Sequence, residues 1–298
     1  MTRDAGEKSV NGLIIKRYSG FYYVQTQDNR IFECKLRGKL KDGRLLVGDR
    51  VKFTLTGSET GIIDTVLARD AELRRPAIAN VNQVLVVMSY VEPIPNLHLL
   101  DRLLILIENQ GLEAVIVLNK CDLAGNEQVE TIIEYYTSIG YPVVSTSTKK
   151  NIGIQELADI IKGSITVLAG PSGVGKTSLL NVLIPGMEMK TDQVSRKLAR
   201  GKHTTRHVEL FPLISGGWLA DTPGFGVVDL PAMKREELKS LFRGFSQLAE
   251  KCRFINCIHA GEKECGVKDA VEKGVIPASR YQSYMIGLTE IIEKERSY

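Results

Sequence analysis

Gly170-Pro171-Ser172-Gly173-Val174-Gly175-Lys176-Thr177 constrains this chain more than any other stretch of its 298 residues. It follows the spacing Gly, four residues, Gly, Lys, Thr, comes directly after the apolar run Ile165 to Ala169, and opens a helical run from Ser178 to Leu183. A glycine-rich loop between a buried strand and a helix turns its backbone N–H groups around phosphate oxygens, and the helix N-terminus adds positive potential. Residues Gly170 through Ser178 are therefore expected to line a nucleoside triphosphate. Lys176 neutralises the β- and γ-phosphates and the Thr177 hydroxyl ligates Mg²⁺. An accidental glycine-rich turn would have no reason to carry both flanks.

A phosphate loop does not name the base. Asn119-Lys120-Cys121-Asp122 ends a second apolar strand, Glu113 to Leu118, where a ligand-binding loop of an α/β sheet belongs. A carboxylate at Asp122 accepts from the guanine N1–H and exocyclic amine, which adenine does not offer. Asn119 would brace the loops, the Lys120 stem would lie along the base, and Cys121 fills the variable position. The tetrapeptide says little alone, but beside a phosphate loop it points to GTP and GDP. Thr146-Ser147-Thr148-Lys149, after the strand Pro142 to Ser145, is the expected base-supporting loop, with Ser147 beside the base and a backbone amide near Thr148 meeting guanine O6.

Asp221-Thr222-Pro223-Gly224 follows the apolar stretch Trp218 to Ala220. Asp221 is expected to reach Mg²⁺ through water and the Gly224 amide to sense the γ-phosphate. Between the two phosphate-side motifs, Lys190 to Arg206 holds six Lys or Arg against one acid. Within it Gly201-Lys202-His203-Thr204-Thr205-Arg206 offers two threonines as the second Mg²⁺ hydroxyl ligand of a switch loop, and the sequence does not separate Thr204 from Thr205.

Alternating apolar strands and helical stretches from Gln83 onward, such as Leu97 to Gln110 and Glu127 to Gly140, predict a parallel sheet covered on both faces. The preceding segment is different. Leu13 to Tyr18, Phe21 to Gln27, Arg30 to Leu36, Arg50 to Leu55 and Ile62 to Leu67 read as short strands broken by turns, which suits a small closed barrel such as an OB-fold. Residues 1–70 hold 13 Lys or Arg against 9 Asp or Glu, while residues 71–235 and 236–298 balance at 16 against 16 and 10 against 10. The whole net charge of +4 thus sits on the barrel segment, as suits a nucleic-acid partner.

After about Leu230 the sequence shows helical stretches only, around a cluster of Cys252, Cys257, His259 and Cys265. Three thiolates and an imidazole meet the Cys₃His requirement of a tetrahedral structural zinc, and a small C-terminal core gains from such a staple. The cysteine total of five is odd and does not suggest a disulfide framework. Cys34 is expected to pack within a strand. No apolar run approaches the ~20 residues of a membrane span and no amphipathic anchor is evident, so a cytoplasmic protein without a membrane partner is expected, as a monomer.

The order along the chain is base box, base-supporting loop, phosphate loop, first switch, second switch. This permuted order, the glycine spacing and the flanking segments resemble the ribosome small subunit-dependent GTPase A family, circularly permuted GTPases of ribosome biogenesis, over nearly the whole chain. The resemblance implies an α/β fold: a circularly permuted P-loop GTPase domain over 71–230, an N-terminal OB-fold β-barrel over 1–70 and a C-terminal helical zinc-binding domain over 231–298. It also implies binding to the small ribosomal subunit and its ribosomal RNA late in assembly, with GTP hydrolysis stimulated by the subunit. The zinc-ligand spacing matches that family's zinc segment. Phe225 stands where Ras-like proteins carry a water-orienting glutamine. The family's histidine before the switch threonines makes His203 the catalytic candidate. A nucleotide-gated RNA-binding module with negligible turnover is the alternative.

Overall fold

The computed structural model describes residues 9–38, 44–74, 76–123, 127–184, 186, 208–221 and 229–296. These fall into two compact units, one drawn from 1–83, 158–168 and 180–225 and the other from 84–157, 169–179 and 226–298.

The first unit opens with β1 (Ser9–Tyr18), β2 (Phe21–Gln25), β3 (Ile31–Leu36), β4 (Arg50–Leu55) and β5 (Thr60–Val66). Pairing runs β1-β2-β3-β5-β4, and β4 returns antiparallel to β1, so the sheet closes into a five-stranded barrel of OB topology. Alternation dictates the closure: Phe32 and Cys34 of β3, Val51 and Phe53 of β4 and Ile63 of β5 point inward and are buried, and the residues between them face outward. Register shifts between Ile14 and Lys16 and between Lys52 and Phe53 give the bends a small barrel needs. A hairpin of β6 (Glu72–Arg74) and β7 (Ala77–Ala79) lies beyond the barrel. The buried Asp49 carboxylate accepts from Arg69 Nε at 2.7 Å and Nη2 at 2.9 Å.

The same unit contains β11 (Ile165–Ala169), β12 (Glu209–Pro212) and β13 (Trp218–Asp221) in the order β11-β13-β12-β1. β11 and β13 are parallel and β12 is antiparallel to β13. Lys16 of β1 stands opposite Glu209 of β12 and pairs with its carboxylate at 3.0 Å, so barrel and nucleotide-domain strands share one sheet.

The second unit holds β8 (Gln83–Ser89), β9 (Glu113–Asn119) and β10 (Val143–Thr146) in the order β10-β9-β8, with β9 and β10 parallel. Every residue of β8 is buried, as a strand covered on both faces requires. Helices α1 (Leu97–Asn109) and α2 (Glu127–Ser138) follow β8 and β9, α3 (Ile154–Ile160) follows β10, and α4 (Lys176–Leu183) follows the phosphate loop. Asn96 caps α1 by accepting from Leu99 N.

The C-terminal part is helical: α5 (Arg235–Leu238), α6 (Phe245–Ala249), α7 (Gly266–Glu272) and the long α8 (Ala278–Arg296). Phe242, Phe245, Val267, Tyr284, Leu288 and Ile291 form its core, joined by Ile105 of α1. The cysteine cluster lies in the irregular segment between α6 and α7, where ligand geometry and not a helical ladder sets the backbone. The fold is α/β, a circularly permuted P-loop domain with an N-terminal OB barrel and a helical C-terminal domain bearing the Cys/His cluster.

Candidate functional site

The phosphate loop takes its shape from two close approaches. A Cβ on Gly170 would lie 2.2 Å from the carbonyl oxygen of Val87 in β8, and one on Gly175 would lie 2.2 Å from Asn119 Nδ2. Both glycines also have positive φ, +131° and +96°. Pro171, Ser172, Gly173 and Val174 complete the turn, and α4 begins at Lys176 with Thr177 and Ser178 in its first turn. Lys176 Nζ stays inside the loop, donating to the carbonyls of Gly170 at 2.9 Å and Pro171 at 2.6 Å. Burial lowers the pKa of this ammonium.

The residues expected to read the base converge on that loop. Asn119 ends β9 opposite Thr146 of β10, donates from Nδ2 to the Val174 carbonyl at 2.9 Å and accepts from Thr146 Oγ1 at 3.2 Å. Lys120 has a positive φ of 67°, which turns its side chain back so that Nζ donates to Gly173 O at 2.7 Å and to Glu92 O. Cys121 N–H donates to Thr146 O at 3.0 Å. Asp122 Oδ1 accepts from Ser147 Oγ at 2.6 Å, and this bond holds the carboxyl below the usual carboxylate range. Ser147 Oγ in turn accepts from Lys150 N at 3.1 Å, fixing the short loop that carries Thr148. The guanine box, the base-supporting loop and the phosphate loop thus form one hydrogen-bonded unit. Sequence reading missed the carbonyl of Glu92 as the second anchor of Lys120. Its signal was Ser89-Tyr90-Val91-Glu92-Pro93, a proline-marked turn at the end of a buried strand.

On the switch side, Asp221 ends β13, opposite Glu209 in register. Its side chain, Gly224, Phe225, and the segment with His203, Thr204 and Thr205 lie outside the described residues.

Cys252, Cys257, His259 and Cys265 come together with their ligand atoms all within 4.8 Å of one another. A tetrahedral zinc with Zn–S near 2.3 Å and Zn–N near 2.05 Å sets ligand edges of about 3.8 Å between sulfurs and about 3.6 Å from nitrogen to sulfur. The observed edges are 3.9 Å for Cys252 to Cys265, 3.6 Å for Cys252 to His259 Nδ1 and 3.4 Å for Cys265 to His259 Nδ1. All four residues therefore fit the ion, with Nδ1 as the imidazole ligand. Burial first, and then the neighbouring Cys265 and Cys252 groups, push the Cys257 thiol up to about 12, so thiolates at this spacing require a cation. The loop is tied on both sides. Glu262 accepts from Ile258 N and Ala260 N, and the Tyr281 and Tyr284 hydroxyls of α8 donate to the carbonyls of His259 and Ile258, both at 2.7 Å.

Comparison with known proteins agrees with this architecture. The model for RsgA GTPases matches residues 65–231, and the model for the RsgA N-terminal domain matches residues 11–63. The small ribosomal subunit biogenesis GTPase RsgA of Alkaliphilus metalliredigens is 46% identical over 291 residues, covering 96% of this chain and 99% of that protein. Its counterpart from Carboxydothermus hydrogenoformans is also 46% identical, over 97% of this chain and all of that protein. Among solved structures, YjeQ from Thermotoga maritima superposes with a TM-score of 0.81 at 36% identity, covering 96% of this chain and 99% of its own. YloQ, described as a circularly permuted GTPase, gives 0.78 at 36% identity over 99% of both chains.

Proposed function

Because the chain belongs to the RsgA GTPase family, we propose that it hydrolyses GTP in the late maturation of the small ribosomal subunit, bound to that subunit and its ribosomal RNA. The protein is a GTPase of small-subunit biogenesis. The observation that supports the reading is the bonding of Asn119 and Lys120 to the carbonyls of Val174 and Gly173, which ties the segment proposed to read guanine to the loop proposed to cradle the phosphates.

In this reading Asp122 accepts from the guanine edge, Ser147 and the Thr148 amide border the base, and residues Gly170 to Ser178 hold the phosphates. Thr177 with Thr204 or Thr205 holds Mg²⁺, which supplies charge neutralisation on the β- and γ-phosphates. Asp221 reaches Mg²⁺ through water and the Gly224 amide senses the γ-phosphate. His203 orients the attacking water, since the apolar Phe225 does not. Cys252, Cys257, His259 and Cys265 hold one zinc whose closed shell makes it structural. The barrel over 1–70, with the net basic charge, and the zinc domain over 231–298, which flank a GTPase domain over 71–230 in the sequence, supply RNA-facing surfaces. We further assign a cytoplasmic monomer. Among the described residues no helix is long and apolar enough to cross a membrane.

Phosphate release under multiple turnover, measured alone, with purified small subunits and with large subunits, tests the proposal. Stimulation by small subunits only is expected, with GTP and not ATP as substrate. Tight GTP binding with negligible turnover under all conditions would replace it with a nucleotide-gated binding module.

A further inference from the structure

The three nucleotide loops sit at the ends of different elements, and Asn119, Lys120 and Ser147 each join a pair of them. A fourth connection belongs to none of the recognised motifs. Tyr90 is the first residue after β8, and its N–H donates to Asn119 O at 2.9 Å, across to the neighbouring strand. Its hydroxyl shares a hydrogen bond of 2.8 Å with Ser145 Oγ of β10, one strand further. With strands about 4.8 Å apart, the reach from β8 to β10 is about 10 Å, which suits a long side chain with only two rotatable bonds.

The far end of that reach matters for base reading. Ser145 lies in register with Leu118, and the next pair is Thr146 with Asn119. Two residues after Ser145, the Ser147 hydroxyl donates to Asp122, the carboxylate assigned to the guanine amine. The near end is held as well: Ser89 Oγ donates to Glu92 O at 2.8 Å, and Lys120 Nζ bridges Glu92 O to Gly173 O. The turn from Ser89 to Glu92 is thereby bonded to the guanine box, the base-supporting strand and the phosphate loop.

We propose that Tyr90 is a positioning residue for guanine recognition, fixing the separation of the Asn119–Asp122 loop and the Ser145–Thr148 loop so that Asp122 meets the exocyclic amine of the base. This rests on the guanine-site assignment above. Tyr90 touches no part of the nucleotide in this role; it acts through Ser145 and Asn119.

The test is affinity of the full-length protein for GDP, for IDP, which lacks the exocyclic amine, and for ADP, in wild type, Tyr90→Phe, Ser145→Ala and the double variant, with thermal melts alongside. Tyr90→Phe keeps the ring and removes one hydroxyl. It should weaken GDP about fivefold and IDP distinctly less, because IDP keeps the N1–H but offers no amine to Asp122, so that the GDP-to-IDP preference falls. Ser145→Ala should do the same, and the double variant should be no worse than either single one, because both remove one bond. Unchanged preference, equal weakening of GDP and IDP, or additive losses would each overturn the proposal. A wild type that binds GDP, IDP and ADP alike would overturn the guanine-site assignment itself, and the role of Tyr90 with it.

Discussion

Asn119 Nδ2 donates to the carbonyl of Val174 at 2.9 Å, joining the last residue of a strand to the middle of the phosphate loop 55 residues later in the chain. In an unpermuted GTPase the phosphate loop would come first. Here the base reader is made first, and the loop that follows is held to it through a glycine, Gly175, whose missing side chain leaves room for the amide. Asn119→Ala removes this bond and the one from Thr146, at about 1 kcal/mol each. Because both bonds are buried and internal to the protein, the melting temperature should fall, and GDP affinity, read by displacement of a fluorescent nucleotide, should drop by up to roughly 30-fold as the two loops lose their tie. Wild-type affinity in the variant would mean the two loops do not depend on one another.

The zinc assignment is tested by metal content. One equivalent of zinc per chain is expected by elemental analysis, falling to near zero in Cys257→Ser. Because Tyr281 and Tyr284 hold the backbone of the metal loop against α8, chelation should also reduce helicity and lower the melting temperature. A metal-free protein with an unaltered melt would remove the structural role.

Much of this was legible in the sequence because it rests on local signals. The barrel strands announced themselves by inward alternation such as Phe32 and Cys34 in β3, the glycine-rich loop by its place between a strand and a helix, and the Cys/His cluster by four candidate ligands within 14 residues. The elements that escaped were β6, β7 and β12, of three or four residues, too short for a period to register. Long-range polar pairings also escaped. Asp101 and Arg102 sit inside the apolar run of α1, and nothing local says that their partners are Arg280 and Glu290, 179 and 188 residues away.

Glu290 of α8 accepts from Arg102 Nη1 at 2.7 Å and Nη2 at 3.1 Å, and Lys294 adds a third bond. The Arg102 bond, ahead of the other causes, lowers the carboxyl from the usual 4.5 to about 2. A depressed carboxylate contributes stability that is complete above the unfolded pKa and is lost as pH falls through the folded one. Arg102→Ala should therefore cost on the order of 1 to 2 kcal/mol at pH 7, after allowing for partial solvent screening. The difference from wild type in urea unfolding should shrink as pH is lowered from about 4.5 towards 2. A difference that stayed constant through that range would assign the effect to packing of the arginine stem.

His203 is tested by kinetics. His203→Ala should leave GTP affinity within about twofold and cut small-subunit-stimulated turnover by 10² or more, the scale of a positioned acid–base group. Full stimulated turnover with normal GTP binding would assign the water-orienting role to another group.

The pairing of Asp101 with Arg280 makes the sharpest stability prediction, because both groups are buried and the pair joins α1 to α8. Asp101 also accepts from the Tyr136 hydroxyl at 2.5 Å, and the Arg280 guanidinium lies over the rings of Tyr136 at 5.3 Å and Phe242 at 4.6 Å. Phe242 packs edge-on against Tyr284, whose hydroxyl holds the metal loop at Ile258. Removing one partner strands a buried charge, so Asp101→Ala should cost about 3 to 5 kcal/mol in urea unfolding. Replacing both groups by apolar ones of similar volume, Asp101→Leu with Arg280→Met, removes the stranded charge and should cost less than the two single changes together, with a coupling of at least about 2 kcal/mol. The same contacts predict that Asp101→Ala releases zinc to a chelator faster than wild type, since α8 then loses its buried tie to α1 on the side that carries Tyr284. Additive single costs would show that the two charges do not depend on each other. An unchanged zinc-release rate would confine their effect to the α1–α8 contact.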